Sequence, residues 1–165
     1  MNFAQIRSMD ISNGEGIGVS IFVQGCPIHC KGCFNSETWD FNGGRKWTEE
    51  KKNKLLELLN KSYVSRFSVL GGEPLAKQNM QDIYKLCKEI KDKFPEKKIW
   101  LYSGYQYESL SREQFKVLLF TDVLVDGHYD ETLKNPSLKF RGSSNQRVIN
   151  IPETLKQNKV ILYCD

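Results

Sequence analysis

The feature that most constrains this chain is Gly25-Cys26-Pro27-Ile28-His29-Cys30-Lys31-Gly32-Cys33-Phe34-Asn35, which sets three cysteines within eight residues directly after an apolar run. That run, Val19-Ser20-Ile21-Phe22-Val23, is short and rich in β-branched and aromatic residues, so it reads as a strand delivering the cysteines into a loop at its C-terminal end. α/β sheets and barrels place their chemistry at that end. The spacing points to a metal site. A structural zinc needs four closed tetrahedral ligands, usually as two short Cys/His pairs, and the remaining cysteines, Cys87 and Cys164, stand alone. His29 is a candidate fourth ligand, wedged between Cys26 and Cys30. An iron-sulfur cube is a larger object whose corners thiolates from one looping segment can reach. Three thiolates leave one iron open, and an open position marks catalysis.

A second motif follows in Phe67-Ser68-Val69-Leu70-Gly71-Gly72-Glu73-Pro74, an apolar run that ends in a Gly-Gly-Glu-Pro turn. Cys-x3-Cys-x2-Cys after one candidate strand and Gly-Gly-Glu-Pro after the next resembles the radical S-adenosylmethionine (SAM) superfamily.

The rest of the chain alternates strand and helix patterns. Thr48 reads as the N-cap of a helix with Glu49 and Glu50 in its first turn and Leu55, Leu56, Leu58 and Leu59 as its apolar face. A strand spans Arg66 to Leu70. Met80, Ile83, Tyr84, Cys87 and Ile90 recur at helical spacing up to Phe94-Pro95, which makes Cys87 a core residue. Lys98 to Tyr102 is a third strand, followed by Ser103-Gly104-Tyr105. Ser111 caps a third helix that runs through Phe115, Val117, Leu118 and Leu119. Asp122 to Asp126 is a fourth strand, which ends in Gly127-His128-Tyr129. A polar segment from Phe140 to Arg147 leads to a short tail with Val160 to Tyr163. This order predicts an α/β fold with a mainly parallel sheet and right-handed crossovers. Four or five units are too few for a closed eight-fold barrel, so an open partial (βα) barrel is expected, with residues 1–165 as a single radical SAM domain.

The 165 residues are one domain's worth, with 39% hydrophobic and 27% charged residues. No apolar stretch approaches the ~20 residues of a membrane span. The start, Met1 to Arg7, lacks the apolar core of a signal peptide, and the expected location is cytoplasmic, where reduced cysteines and an oxygen-sensitive cluster coexist. The net charge of +4 comes from lysines spread along helical faces, without a dense block interleaved with aromatics, so nothing here points to nucleic acid. Ser12 to Gly18 carries three glycines and predicts close backbone approach at the mouth of the site.

The superfamily resemblance implies a [4Fe-4S] cluster held by Cys26, Cys30 and Cys33, whose open iron is chelated by the amino and carboxylate groups of S-adenosyl-L-methionine. An electron entering the sulfonium then yields methionine and a 5′-deoxyadenosyl radical. Gly71 and Gly72 let backbone carbonyls approach the methionine amino group, Glu73 adds negative charge, and Ser103 lies where related activases contact ribose or carboxylate. Many members carry an aromatic before the third cysteine that touches adenine; here Gly32 holds that position and Phe34 follows Cys33. His128 and Asp126 lie at an equivalent strand end, and His128 reads as a loop residue. The cysteine loop, Trp100 to Tyr105 and Phe140 to Arg147 together resemble the glycyl-radical activating enzymes that serve anaerobic ribonucleoside-triphosphate reductase. That likeness implies the reductase as protein substrate, an electron donor such as flavodoxin, and a partner segment received by Arg141 to Arg147. A small enzyme such as 7-carboxy-7-deazaguanine synthase is the alternative of the same class. A zinc or electron-transfer module is the alternative of another class.

Overall fold

The computed structural model describes every residue from Met1 to Asp165. In chain order the elements are β1 (Asn2–Asp10), β2 (Gly18–Val23), β3 (Arg45–Lys46), α1 (Glu49–Leu59), β4 (Arg66–Gly71), α2 (Met80–Lys93), β5 (Lys98–Tyr102), α3 (Arg112–Leu118), β6 (Val123–Asp126), β7 (Arg147–Asn150), α4 (Ile151–Gln157) and β8 (Leu162–Cys164). All eight strands join one sheet in the order β3-β1-β2-β4-β5-β6-β7-β8. β2, β4, β5 and β6 are parallel neighbours, whereas β1 and β3 on one side and β7 and β8 on the other pair antiparallel. The fold class is therefore α/β with a mixed sheet. The expected mainly parallel sheet holds only for its centre, because the two ends of the chain add strands through connections that reverse direction.

The helix caps follow the sequence signals. The Thr48 hydroxyl accepts from the Lys51 amide, and Ser111 with Gln114 forms a reciprocal capping box. The period-2 alternation of the strands divides the core into two faces. Ile21, Val69, Leu101, Leu124 and Ile149 point to the helices and meet Leu55, Leu59, Ile83, Leu86, Ile90 and Val117. Each such fully buried aliphatic side chain contributes roughly 1.5–3 kcal/mol. Cys87 lies in this layer, fully buried, with its thiol pushed up to about 12 by burial. The opposite face has no helix over it. Trp100, Val123, Val125 and Val148 form a small cluster there, covered by Tyr102, Phe140, Tyr163 and Cys164.

Towards β1, that helix-free face is polar and tightly bonded. Arg66 is 1% exposed, donates to the Asp10 carbonyl at 2.6 Å and to the Ser68 hydroxyl at 2.7 Å, and lies 3.5 Å from the Asp10 carboxylate. Burial alone would raise the Asp10 pKa. Hydrogen bonds from Ser20, Asn13 and the Ser12 backbone outweigh it and hold the group at about 2. Gly14 and Gly18 close over this guanidinium: a Cβ would stand 2.8 Å from Arg66 Cδ at Gly14 and 2.4 Å from an Arg66 terminal nitrogen at Gly18. These two glycines thus make room for a buried arginine, while Ser12 and Asn13 of the same segment reach the cavity at the strand ends, as expected of the segment. No helix is long and apolar enough to cross a membrane.

Candidate functional site

At the C-terminal ends of the parallel strands, on the helix-free face, lies a cavity of about 400 Å³. Its wall brings together Cys26, Cys30, Cys33, Gly71, Gly72 and Glu73 from the two motifs, with Phe34 and Ser103. The cysteine loop holds its shape through its own main chain and through the segment after it. Gly25 N–H donates to the Thr38 carbonyl at 2.7 Å and Cys26 N–H to the Trp39 carbonyl at 3.0 Å. The buried Gln24 side chain donates to the carbonyls of Glu37 and Asp40 at 3.1 and 2.9 Å. His29, with φ +54°, stacks its ring on Trp39 at 4.4 Å and stands outside the cavity wall. The stacking gives His29 a different task from the fourth metal ligand that the sequence left open.

The three thiols are free and partly buried. Burial pushes Cys26 and Cys30 up, and main-chain N–H groups of His29 and Ile28 on Cys26, and of Tyr129 on Cys30, work against that. Asn35 N–H points at the Cys33 sulfur at 3.4 Å. N–H donors aimed at sulfur favour thiolates and tune the potential of an iron-sulfur centre. The donor set therefore fits a cluster held by one loop, and no three His, Cys, Asp or Glu side chains gather around a single-ion position.

The Gly-Gly-Glu-Pro turn is pressed directly against that loop. Gly71 has φ +107°, and a Cβ on Gly72 would stand 2.4 Å from the Gly25 carbonyl oxygen. Glycine is thus required at Gly72 by contact with the cysteine loop as well as by its place on the cavity wall. Glu73 is 1% exposed and accepts from Leu75 N–H at 2.9 Å, Gly104 N–H at 2.7 Å and the Ser103 hydroxyl at 2.9 Å. Burial raises its pKa to about 7 against these three donors. The Ser103 hydroxyl also accepts from Tyr105 N–H at 3.1 Å, so its donor and one lone pair are already engaged within the protein.

Gly32 has φ +72° and lies outside the cavity wall, and a Cβ there would stand 2.9 Å from the Glu131 side chain. An aromatic side chain would not fit without moving Glu131. Phe34 is 62% exposed at the cavity rim, 5.0 Å from the Tyr129 ring, with the Lys134 ammonium 5.2 Å from its ring centre. Arg147, expected to receive a partner, is fully engaged within the chain. It makes paired contacts to Glu108 at 2.9 and 2.7 Å and to Asp126 at 3.0 and 2.5 Å, and these raise its pKa. Asp126 is buried and also accepts from Tyr107 N–H at 2.8 Å, while His128 is exposed. Arg141 lies in the cavity wall; its Nη1 donates to the Gln146 carbonyl and its Nε is buried with no partner in the protein. The Tyr102 hydroxyl, in the same wall, is likewise buried and unpartnered.

Residues 12–149 match the family model described as a 4Fe-4S single cluster domain. Over 150 residues the chain is 41% identical to the anaerobic ribonucleoside-triphosphate reductase-activating protein of Escherichia coli K12, spanning 90% of this chain and 97% of that one. The activating protein of that name from Enterobacteria phage T4 is 40% identical over 148 residues, spanning 90% and 93%. The Vibrio cholerae one is 36% identical over 148 residues, spanning 88% and 96%. This chain belongs to the family of anaerobic ribonucleoside-triphosphate reductase-activating proteins. Its cofactor is a [4Fe-4S] cluster, and membership of this activating-enzyme family implies use of S-adenosylmethionine.

Against that family background, Tyr102 and Tyr129 in the wall and Asn79 behind it carry no motif by which sequence reasoning could single them out. Tyr102 reads as an ordinary strand residue, and Tyr129 reaches Cys30 only through its main-chain N–H. Asn79 is buried just before α2, and its one sequence signal is a polar residue at a helix start.

Proposed function

We propose that this chain activates an anaerobic ribonucleoside-triphosphate reductase by reductively cleaving S-adenosylmethionine and leaving a glycyl radical on the reductase. The observation that carries the proposal is the single cavity in which the three thiols of the cysteine loop face the Gly-Gly-Glu turn. In this reading Cys26, Cys30 and Cys33 hold the cluster, and Cys33, Phe34, Gly71, Gly72, Glu73 and Ser103 form the cofactor site, whereas Gly32, outside the cavity wall, is not part of it. Reductive cleavage of the sulfonium C–S bond is the chemistry that cluster and cofactor supply when bound.

The protein's own residues do the rest. Gly71 and Gly72 keep the turn bare, so that main-chain groups can approach the methionine end. Glu73 acts through its bonds to Leu75, Ser103 and Gly104, which hold the ends of β4 and β5 in place. Arg141 and Tyr102 carry buried unpartnered donors in the wall, which supports a cofactor role for Arg141 over a partner role. The helix-free face, open at Phe34, admits a peptide segment, and this side of the sheet is the inside of the proposed open partial barrel. Residues 1–165 act as one radical SAM domain, in the cytoplasm, with electrons from a donor such as flavodoxin. The free state of all five cysteines supports that compartment.

The test is anaerobic reconstitution with iron and sulfide, reduction with S-adenosylmethionine present, and a search for 5′-deoxyadenosine, then for a glycyl radical when the reductase is added. Both products are expected. A reconstituted cluster that yields no 5′-deoxyadenosine would sink the proposal.

A further inference from the structure

We propose that Asn79 is a positioning residue that locks the cysteine loop to the Gly-Gly-Glu turn and thereby sets how S-adenosylmethionine meets the cluster. This rests on the function proposed above. Asn79 stands at the start of α2 and is 1% exposed, yet its side chain does not cap the helix. Its amide nitrogen is directed at three main-chain carbonyls: Gln24 at 3.1 Å, Gly25 at 3.4 Å and Glu73 at 3.0 Å. Two of these lie on the strand end that leads into Cys26, and the third lies on the turn. The amide carries two protons, so the long contact to Gly25 shares one of them.

No other side chain hydrogen-bonds both segments. The main chains meet at the same place: Gly72 N–H donates to Val23 at 2.9 Å and Glu73 N–H to Gly25 at 2.8 Å. Those two bonds continue the β2–β4 pairing past Val23 and Gly71. Asn79 adds a side-chain tie from the start of α2 to both segments, which resists rotation of one against the other. The segments hold different parts of the proposed site, the thiols on one and the methionine end of the cofactor on the other, so a rotation would alter their relation without removing any ligand. Alanine would leave the three buried carbonyls without this donor, and serine would restore one shorter bond at most.

The experiment compares wild type, Asn79→Ala and Asn79→Ser as full chains reconstituted anaerobically, reduced, and examined by electron paramagnetic resonance with and without S-adenosylmethionine. Iron and sulfide contents are expected to equal wild type. The cofactor-induced change in the reduced-cluster spectrum should be lost or altered, and the half-saturating S-adenosylmethionine concentration should rise about tenfold. Asn79→Ser carries the test if the alanine variant fails to fold. Wild-type spectra and half-saturation in the folded variants would overturn the assignment. So would loss of the cluster from every folded variant, because Asn79 would then support the cysteine loop alone. A wild-type cluster whose spectrum ignores S-adenosylmethionine would bring down the proposed function, and the role of Asn79 with it.

Discussion

The Ser103 hydroxyl donates to Glu73 Oε1 at 2.9 Å, so the ends of β4 and β5 are joined through a carboxylate that is almost wholly out of water. Two main-chain N–H groups complete its shell, and burial still holds its pKa at about 7. The cavity wall thus contains a group that changes charge near neutral pH without touching solvent.

Glu73 should therefore make the stability of the cluster-free protein fall as pH rises. Its ordinary value is 4.5 and its folded value about 7, so the native state binds the proton more tightly than the unfolded chain. The stabilisation is complete below about 4.5 and is lost as pH climbs through about 7, a change of at most about 3 kcal/mol. Urea denaturation at stepped pH should show this slope in wild type and a flatter one in Glu73→Gln. Identical slopes would mean that Glu73 keeps an ordinary carboxylate pKa in the folded protein.

Replacing Cys26, Cys30 or Cys33 singly by alanine should abolish the cluster, since the other two cysteines, Cys87 and Cys164, do not line the cavity. Cys87→Ala should keep full iron and sulfide and cost about 1 kcal/mol of packing. Iron and acid-labile sulfide analysis alongside thermal melting separates the two classes. A Cys33 variant with a complete cluster would count against the ligand set.

Gly72→Ala should weaken both cluster retention and cofactor binding. The new methyl group would stand 2.4 Å from the Gly25 carbonyl oxygen, so the cysteine loop has to move. Cluster content and S-adenosylmethionine affinity measured on the same preparation should fall together. Loss of affinity with an untouched cluster would show that the strain is absorbed by the turn alone.

Arg147 and Arg141 should behave differently although they lie in one polar segment. Arg147→Ala leaves buried Asp126 without its cation and should destabilise the fold by about 2 kcal/mol. Arg141→Ala should leave the melting temperature nearly unchanged and lower cofactor affinity. Calorimetric melting and equilibrium binding of S-adenosylmethionine test both; an Arg141 variant that binds normally yet gives less glycyl radical on the reductase would restore the partner role.

The central strands and the first three helices were legible because their signals are local: a short apolar run in Lys98 to Tyr102, spacing in Met80 to Ile90, caps at Thr48 and Ser111. β1 was not, since bulges between Phe3 and Gln5 and between Arg7 and Asp10 break its alternation. β7 has only two apolar residues, Val148 and Ile149, between polar ends, and α4 follows it immediately, with Asn150 as cap and a proline in its first turn. In the site, the cysteines, Gly71, Gly72 and Glu73 were legible as motifs. What sequence could not give is which polar groups turn inward: Arg147 spends its charge on Asp126 and Glu108, while Asn79 faces the nearby Glu73 carbonyl together with those of Gln24 and Gly25, more than fifty residues away.

From β2 onward, apart from the small β3 edge, each strand docks on the one synthesised before it, ending with β8. A chain built this way can assemble by successive short closures, which favours rapid folding over the slow search that distant pairings demand. The order also gives the cavity a history. Cys26 to Cys33 are made with β2, whereas Phe140 and Arg141 come off the ribosome more than a hundred residues later. During synthesis the thiols stand on a floor without a far wall, and only the last quarter of the chain closes the chamber around them.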